Sequence, residues 1–412
     1  MKAAILTLGC RVNQSESELI EGNLKSHGFS IVGLSEKPDY CIINTCSVTA
    51  KSDYQSRQLI RRAVRSAAKV IVTGCYSQLH AEDIAKIDSN IEIVHNANKI
   101  HHINALFSIT SCNDISYSSR SRPHVKVQDG CDYSCSYCIV PLARGKSRSV
   151  EPKTILRHIK GFVESGFQEI VLTGIHLGSY GYDFNPQLKL SNLIKAILKE
   201  TNIHRIRLSS LEVKEVDNEL IELLQSERIC RHIHLPLQSG DDTILKLMNR
   251  TYSSSEFIST VEKILSRIPD ICLGADVIVG FPGEGIIEFS NTKKLIEQLP
   301  VSYMHIFPFS PRPKTLAAQM KNRVADSEKK RRSIELNELN QVKKISYMSS
   351  QIGRTLEIVV EDKHDDTSCL GTSSNYLKIL TSACGATKKT CMNIRVTQAD
   401  GFVLLGTPID ES

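Results

Sequence analysis

The run Asp129-Gly-Cys-Asp-Tyr-Ser-Cys-Ser-Tyr-Cys-Ile-Val-Pro141 decides how this chain is interpreted. Three residues separate Cys131 from Cys135 and two separate Cys135 from Cys138, so three thiols share one short loop with no fourth cysteine nearby. A structural zinc site has four protein ligands and no open coordination position, whereas a cubane iron–sulfur cluster takes one cysteine per iron. Three cysteines would leave one iron open, and an open iron can bind a further molecule. The loop is therefore a candidate reaction centre.

Composition restricts the class of protein and its compartment. The chain has 13 cysteines in 412 residues, an odd number in a chain too long for a small disulfide scaffold. No stretch approaches the roughly 20 apolar residues that span a bilayer, and the apolar run before Cys10 is too short for an export signal. We therefore expect a cytoplasmic protein with reduced thiols and no membrane partner. The net charge of +6 permits a nucleic-acid partner.

The first hundred residues alternate between short apolar runs and helical patterns, which predicts a parallel sheet covered on both faces. Cys10, Cys46 and Cys75 each follow one of the predicted strands. Because the carboxyl ends of parallel strands share one crevice, these cysteines should converge and form a second metal site. Packing in a core is the alternative for free cysteines, and it is the interpretation we prefer for Cys41, inside a strand.

The rest of the chain predicts two further domains. A polar, serine-rich segment at 112–122 indicates a linker. Six strand candidates follow, at 124–127, 169–173, 205–208, 232–235, 274–279 and 303–307, each leading to a helical pattern. Six such units are too few for a closed eight-unit barrel, so they predict an open partial (β/α)6 barrel with its site at the strand carboxyl ends. Short β segments after Gly353 predict a small antiparallel β-barrel. The expected α/β architecture thus comprises domains at 1–112, 120–348 and 349–412.

Several motifs resemble those of one enzyme family along essentially the whole chain. The three-cysteine loop, with an aromatic residue before its last cysteine, is similar to the signature of radical S-adenosylmethionine (SAM) enzymes. The N-terminal and barrel motifs resemble those of the radical SAM methylthiotransferases, and the last domain resembles an RNA-binding TRAM domain. These motifs are Thr7-Leu-Gly-Cys-Arg-Val-Asn-Gln14, Ile43-Asn-Thr-Cys-Ser-Val48, Thr73-Gly-Cys75, Leu172-Thr-Gly-Ile-His-Leu-Gly-Ser-Tyr-Gly181, His234-Leu-Pro-Leu-Gln-Ser-Gly240, Asp276-Val-Ile-Val-Gly-Phe-Pro-Gly-Glu284 and Phe309-Ser-Pro-Arg-Pro313.

The resemblance implies two [4Fe–4S] clusters and SAM as cofactors. Cys131, Cys135 and Cys138 would hold the cluster that binds SAM and cleaves it to a 5′-deoxyadenosyl radical. Cys10, Cys46 and Cys75 would hold a second cluster that handles the sulfur, and an external flavodoxin or ferredoxin would supply electrons. Residues expected to contact SAM or substrate are Tyr137, Thr173, Gly174, Ser209, Glu212, Gln238 and Asp276. A salt bridge or a helix cap is the alternative role for Glu212 and Asp276.

Three branches of the family differ in substrate: isopentenyl-adenosine in tRNA, an aspartate of a ribosomal protein, or threonylcarbamoyl-adenosine beside the tRNA anticodon. The stretches Leu8–Gln14, His176–Tyr180 and Pro141–Gly145 look most like the third branch. This resemblance implies methylthiolation of C2 of the adenine ring. A zinc-stabilised RNA-binding protein without catalysis is the alternative from another class. The sequence predicts no oligomeric state.

A basic segment between Lys51 and Lys69 is a candidate RNA-binding face. It carries Arg57, Arg61, Arg62 and Arg65, with Asp53 as its single acid. Clustered arginines suit the RNA backbone because each cation can neutralise a phosphate. The alternative is a solvated helix face, which is the usual role of a run of charges.

Overall fold

The structure, a computed structural model, describes residues 1–109, 117–363, 367–382 and 387–409. The N-terminal section is an α/β unit with a five-stranded parallel sheet. Its elements are β1 (Lys2–Thr7), α1 (Arg11–Ser26), β2 (Ser30–Ile31), β3 (Tyr40–Thr45), α2 (Ala50–Ser66), β4 (Lys69–Gly74), α3 (Cys75–Leu79), α4 (Ala81–Ala85), β5 (Glu92–Ile93) and α5 (Lys99–Leu106). The strand order is β2-β1-β3-β4-β5. Ile60 of α2 packs on one face and Ile20 of α1 on the other, so both faces are buried as predicted.

The central section is the predicted partial barrel. Its elements are β6 (His124–Lys126), β7 (Gln128–Asp129), α6 (Val140–Arg144), β8 (Arg148–Ser149), α7 (Pro152–Glu164), β9 (Glu169–Thr173), α8 (Leu190–Glu200), β10 (Arg205–Leu208), α9 (Asn218–Leu224), β11 (His232–Gln238), α10 (Asp242–Leu247), α11 (Ser254–Arg267), β12 (Cys272–Val279), α12 (Ile286–Gln298), β13 (Tyr303–Pro308), α13 (Leu316–Gln319) and α14 (Asp326–Ser349). Two three-stranded parallel sheets, β6-β9-β10 and β11-β12-β13, meet where the Leu211 amide donates to the His234 carbonyl at 3.0 Å.

Alternation along the barrel strands separates a dry core from a polar interior. Ile170 and Leu172 on β9 and Ile233 and Leu235 on β11 pack against the surrounding helices in one large apolar cluster. Their direct neighbours along the strands, such as Glu169 and His234, point to the opposite face, because side chains alternate along a strand. The interior of the barrel is thus lined with polar and aromatic groups, which makes it suitable for binding a ligand.

The C-terminal section is a closed five-stranded barrel of order β14-β15-β16-β18-β17. Its strands are β14 (Thr355–Lys363), β15 (Ser368–Ser373), β16 (Lys378–Ser382), β17 (Cys391–Ala399) and β18 (Leu404–Pro408). The sequence predicted an antiparallel barrel, but the barrel is mixed, because β16 and β18 run parallel. A closed ring with an odd number of strands must contain at least one such pair.

The expected linker at 112–122 lies partly outside the described residues. Its described part, 117–122, is fixed to the N-terminal and C-terminal sections. The Arg120 guanidinium donates to Glu18 at 2.7 Å and that of Arg122 to Glu361 at 2.8 Å. None of the helices within the described ranges has the length and apolar character needed to cross a membrane.

Candidate active site

Backbone geometry fixes the loop that carries Cys131, Cys135 and Cys138. Gly130 has a φ of +77°, and a Cβ there would lie 2.0 Å from the carbonyl oxygen of Lys146. Only glycine fits this position, because it lacks a Cβ and tolerates positive φ. The Cys131 amide then donates to the Gly145 carbonyl at 3.1 Å, and the Gln128 side chain donates to the Gly130 carbonyl at 2.8 Å. The loop is therefore anchored before its first thiol.

Two of these three sulfurs have a nitrogen partner from the barrel. The Arg250 guanidinium donates to Cys135 Sγ at 3.2 Å, and His176 Nδ1 lies 3.7 Å from Cys131 Sγ. Both partners are themselves held by acids, because Glu212 accepts from Arg250 and Glu215 contacts His176 Nε2. Such supporting contacts orient metal ligands and adjust their basicity. Sequence reasoning did not identify Arg250, since nothing in its local pattern distinguishes it.

The structure brings Cys10, Cys46 and Cys75 together at the carboxyl edge of the N-terminal sheet. Cys10 precedes α1, Cys46 follows β3, and Cys75 begins α3. Gly9 has a φ of +101°, and a Cβ there would lie 3.0 Å from Cys46 Sγ. Burial raises the pKa of the Cys75 thiol to about 11, with Arg144 opposing the shift and the thiols of Cys10 and Cys46 adding to it. The predicted convergence is thus present in the fold.

Both thiol sets suit a cluster better than a single zinc ion. Within the described residues, neither cysteine set has all three of its sulfurs within 4.8 Å of one another. A tetrahedral zinc ion with Zn–S bonds of about 2.3 Å would hold its sulfur ligands closer together than that 4.8 Å separation. A cubane separates its ligands more widely because each sulfur binds a different iron.

A buried ionic network, which the sequence did not predict, connects the two thiol sets. Arg144 on α6 donates to Glu16 of α1 at 3.1 Å and to Asp129 at 2.7 Å, and it also contacts the Asn13 side chain. Lys99 lies 2.6 Å and Lys126 3.0 Å from the Glu16 carboxylate. Asp129 is two residues from Cys131 and Asn13 three from Cys10. The network therefore joins the two sections of the chain between their cysteines.

The residues predicted to contact SAM fall into two groups. Thr173, Gly174, Ser209 and Glu212 lie at or just beyond the carboxyl ends of β9 and β10, on the side of the cysteine loop. The Ser209 hydroxyl is buried without a hydrogen-bond partner in the described structure, and burial raises the pKa of Glu212 against the opposing effect of Arg250. An unsatisfied buried hydroxyl is costly unless a ligand completes it. The Ser209 hydroxyl is thus available to a ligand.

The second group lies on the opposite sheet or packs against it. Tyr137 meets the Phe281 ring edge-on at 6.3 Å, and Gln238 has a φ of +62° at a bulge in β11. Asp276 lies within β12, where one oxygen accepts from His234 at 2.9 Å and from His305 at 3.1 Å. Burial raises the pKa of Asp276, but these two histidines outweigh burial and hold the pKa well below its usual range. The salt-bridge role that the sequence left open is present for Glu212, which pairs with Arg250, whereas Asp276 has histidine partners.

The basic segment of α2 forms one side of a surface groove of about 610 Å³. Arg57, Arg61 and Arg65 line the groove together with Lys86, whereas Arg62 is not among its lining residues. Arg57 also donates to the Tyr76 hydroxyl at 3.3 Å, so it has a structural partner. Three of the four predicted arginines therefore share one surface.

Comparison with known proteins agrees with this geometry. Residues 2–96 match the model of "Uncharacterized protein family UPF0004" and residues 125–296 that of the radical SAM superfamily. Among curated relatives, "Threonylcarbamoyladenosine tRNA methylthiotransferase MtaB" of Aquifex aeolicus is 37% identical, covering 88% of this chain and 94% of that protein. The Chlamydia pneumoniae protein of that name is 35% identical over 98% and 97%. The "tRNA-2-methylthio-N(6)-dimethylallyladenosine synthase" of Endomicrobium trichonymphae is 32% identical over 88% and 89%.

Solved structures support the fold alone. The radical SAM methyltransferase TsrM from Kitasatospora setae superimposes with a TM-score of 0.58 at 12% identity, over 77% of each chain. The cobalamin-dependent SAM radical enzyme OxsB gives 0.52 at 12% identity, over 77% of this chain and 54% of that one. An open barrel with a three-cysteine loop at its carboxyl edge defines the radical SAM enzymes, which use a [4Fe–4S] cluster and SAM. This chain belongs to the radical SAM tRNA methylthiotransferase family.

Proposed function

We propose that the protein attaches a methylthio group to C2 of N6-threonylcarbamoyladenosine beside the anticodon of tRNA. The main observation behind the proposal is that two sets of three free cysteines lie on either side of one buried interface. Relatives named for this reaction align over nearly the whole chain, which supports the choice of substrate. The domain boundaries at 1–112, 120–348 and 349–412 and a cytoplasmic location belong to the same proposal.

In this proposal the two cysteine sets have different tasks. Cys131, Cys135 and Cys138 hold the cluster that binds SAM, and Cys10, Cys46 and Cys75 hold a second [4Fe–4S] cluster for the sulfur. The clusters and SAM supply the radical and sulfur-transfer chemistry, with electrons from a flavodoxin or ferredoxin. The chain contributes positions for these groups. Arg250 and His176 orient Cys135 and Cys131, and Arg144 fixes the two sets relative to each other.

The barrel interior provides the pocket for SAM and the target base. Ser209 offers a free hydroxyl, and Gly174 lets the chain pass close to Gln128, because a Cβ there would lie 2.9 Å from Gln128 Oε1. We assign SAM or substrate contacts to Tyr137, Thr173, Gly174, Ser209, Glu212, Gln238 and Asp276. Arg57, Arg61 and Arg65 would contact tRNA phosphates from the α2 groove, with Arg62 beside them.

Nucleoside analysis of tRNA tests the proposal. A strain lacking the protein should lose 2-methylthio-N6-threonylcarbamoyladenosine and accumulate its precursor. Cys131→Ala and Cys46→Ala should each fail to restore the product, whereas only Cys131→Ala should also abolish reductive SAM cleavage by the purified enzyme. Unchanged product in a strain without any second enzyme for this reaction would contradict the substrate assignment. Loss of 2-methylthio-isopentenyladenosine instead would assign the protein to another branch.

A triple change tests the RNA face on α2. Arg61, Arg62 and Arg65 replaced together by Gln should weaken tRNA binding and reduce the slope of log affinity against log salt, because each lost phosphate contact removes roughly 0.7 to 0.9 from that slope. An unchanged slope would make the segment an ordinary solvated helix face.

A further inference from the structure

A cavity of about 620 Å³ lies where the N-terminal unit, the partial barrel and the C-terminal barrel meet. We call it the junction cavity. Its lining comprises Arg11 and Gln14 of α1, residues 119–122 and His124, Val171 and Arg207 of the barrel, and Glu361, Asp362, Tyr376, Lys378 and Lys388 of the C-terminal section. This volume is within the range of small-ligand pockets.

The junction cavity is rich in cations, and most of them already have an acidic partner. Arg120 pairs with Glu18, Arg122 and Lys378 with Glu361, Arg207 with Glu169 and Lys388 with Asp362. Arg11 differs from all of them. Within the described ranges, no carboxylate lies in salt-bridge range of its guanidinium, whose Nη2 instead donates to the Tyr376 hydroxyl at 3.0 Å. Arg11 therefore contributes an uncompensated positive charge to the cavity.

Tyr376 holds the Arg11 guanidinium in place from the C-terminal barrel. The Tyr376 ring packs on His232 with 4.4 Å between ring centroids, and the Arg207 guanidinium lies 5.2 Å from its centre. Tyr376 also has a φ of +67°, a conformation that side-chain-bearing residues adopt at a cost. The strained tyrosine is thus fixed by the barrel interior, and its hydroxyl points at Arg11.

The position of Arg11 in the chain indicates which anion its guanidinium would bind. It directly follows Cys10, so its backbone lies beside the cysteine set that we assign to sulfur transfer. A base that is modified there must present C2 to that set, and the substituent on N6 of the same ring then extends into the surrounding space. The threonylcarbamoyl substituent ends in a carboxylate, which is ionised at neutral pH. Guanidinium groups match carboxylates in geometry as well as in charge.

We propose that Arg11, held by Tyr376, binds the carboxylate of the threonylcarbamoyl group in the junction cavity and thereby selects this substrate over adenosines with an apolar N6 substituent. The inference rests on the proposed function and adds a residue that determines specificity. A backbone phosphate is the other anion that the same guanidinium could bind, and a phosphate would be present whatever the base.

Binding to synthetic anticodon stem-loops tests the assignment with the enzyme carrying both clusters. The stem-loops carry threonylcarbamoyladenosine, isopentenyladenosine or unmodified adenosine at the target position. For the wild-type enzyme the threonylcarbamoyl stem-loop should bind the tightest. Arg11→Gln should reduce this preference by about tenfold or more, the usual effect of losing a hydrogen bond to a charged group, and leave the other two affinities unchanged. Arg11→Lys should retain part of the preference, because it retains the charge.

Arg120→Gln is the matched control, because it removes one cation from the same cavity but one that is paired with Glu18. It should leave the ratio between the three affinities unchanged. If Arg11→Gln preserves that ratio, or weakens all three stem-loops equally as a phosphate contact would, the proposal is wrong. Iron per chain is measured in each variant because Arg11 adjoins Cys10.

If Arg11→Gln loses iron, the binding preference is measured in Tyr376→Phe instead, because this variant keeps the ring and removes only the hydroxyl that holds Arg11. An unchanged preference in Tyr376→Phe would then overturn the proposal. Failure of the proposed function has a separate signature. In that case the wild-type enzyme would form no methylthio product on the threonylcarbamoyl stem-loop, whatever Arg11 does to binding.

Discussion

Arg250 is the residue through which the barrel contacts Cys135 of the three-cysteine loop. Its side chain is 4% exposed, donates to Cys135, pairs with Glu212 and lies 4.9 Å from the centre of the Tyr252 ring. A buried cation at a ligand sulfur stabilises the more negative, reduced state of an iron–sulfur cluster. The electrostatics of this site therefore depend on a side chain 112 positions beyond the last cysteine of the loop, Cys138.

Replacing Arg250 by Met should make the reduction potential of the Cys131–Cys138 cluster more negative and lower the rate of reductive SAM cleavage by about tenfold or more, the usual cost of losing a partner of a metal ligand. The potential is measured by a titration followed by electron paramagnetic resonance. Arg267→Met, an exposed residue on α11, serves as the control. Equal potentials in the two variants would show that Arg250 does not influence the cluster.

His124 makes the stability of the fold depend on pH. Burial, followed by the charge of Arg11, lowers the pKa of its imidazole from 6.5 to about 3. A group with a lowered pKa binds more protons when unfolded, so the free energy of unfolding falls as the pH drops from about 6.5 towards 3. His124→Gln should remove about 2 kcal/mol of the loss between pH 7.5 and pH 5. Urea unfolding of the metal-free chain at the two pH values measures this difference. Equal losses of unfolding free energy in the wild type and in His124→Gln would contradict it.

At the scale of elements, the turn before the cysteine loop depends on glycine. Gly130→Ala brings a Cβ into the carbonyl of Lys146, so it should displace the loop and reduce iron from the two clusters per chain that we propose to one. Gly166→Ala is a matched control, since Gly166 has a φ of +80° but no atom within 4 Å of the added Cβ. The control should cost only the roughly 1–2 kcal/mol of left-handed backbone strain and keep its iron. Equal iron in both variants would show that the clash is tolerated.

Sequence patterns predicted the strands that are buried along their whole length. The bounds of β9 and β10 match the expected runs at 169–173 and 205–208, because a short apolar-rich run bounded by polar residues indicates a buried strand. The strand Ser368–Ser373 was missed, since serine, threonine and Gly371 are typical of a turn and only pairing within the barrel makes this segment a strand. Cys131, Cys135 and Cys138 were identified from their spacing, and Cys10, Cys46 and Cys75 from their places after predicted strands. Arg250, Arg144 and Tyr376 were not, because their partners are distant in the chain.

At the scale of the whole molecule, Glu16 is the acid on which three buried cations converge. Lys99, Lys126 and Arg144 all contact its carboxylate. Burial raises the pKa of this carboxyl, but the three cations together outweigh burial and hold the pKa well below its usual range. Glu16→Gln would leave Lys99 without an ionised partner, and Lys126 and Arg144 would keep only Asp129. Breaking a buried ion pair typically costs 3–5 kcal/mol, so we expect a loss of about that size. Urea unfolding measures the change.

Glu21→Gln, which breaks a partly exposed pair with Lys25, should cost no more than about 1 kcal/mol and serves as the control. Similar losses in the two variants would mean that the ionic network adds nothing to the stability of the interface.

The Glu16 network also constrains how the enzyme is made. Glu16 and Lys99 leave the ribosome before Lys126 and Arg144, so the newly made N-terminal unit must keep its acid solvated until the barrel is present. Asn96 also depends on a partner that is synthesised later, because its side-chain amide donates to the Ala143 carbonyl at 2.7 Å. We expect the surroundings of Cys10 and Cys75 to be completed only when residue 144 has emerged. Insertion of the cluster that we propose at these cysteines would then wait for the barrel, and an incompletely synthesised chain would hold no exposed, half-coordinated iron.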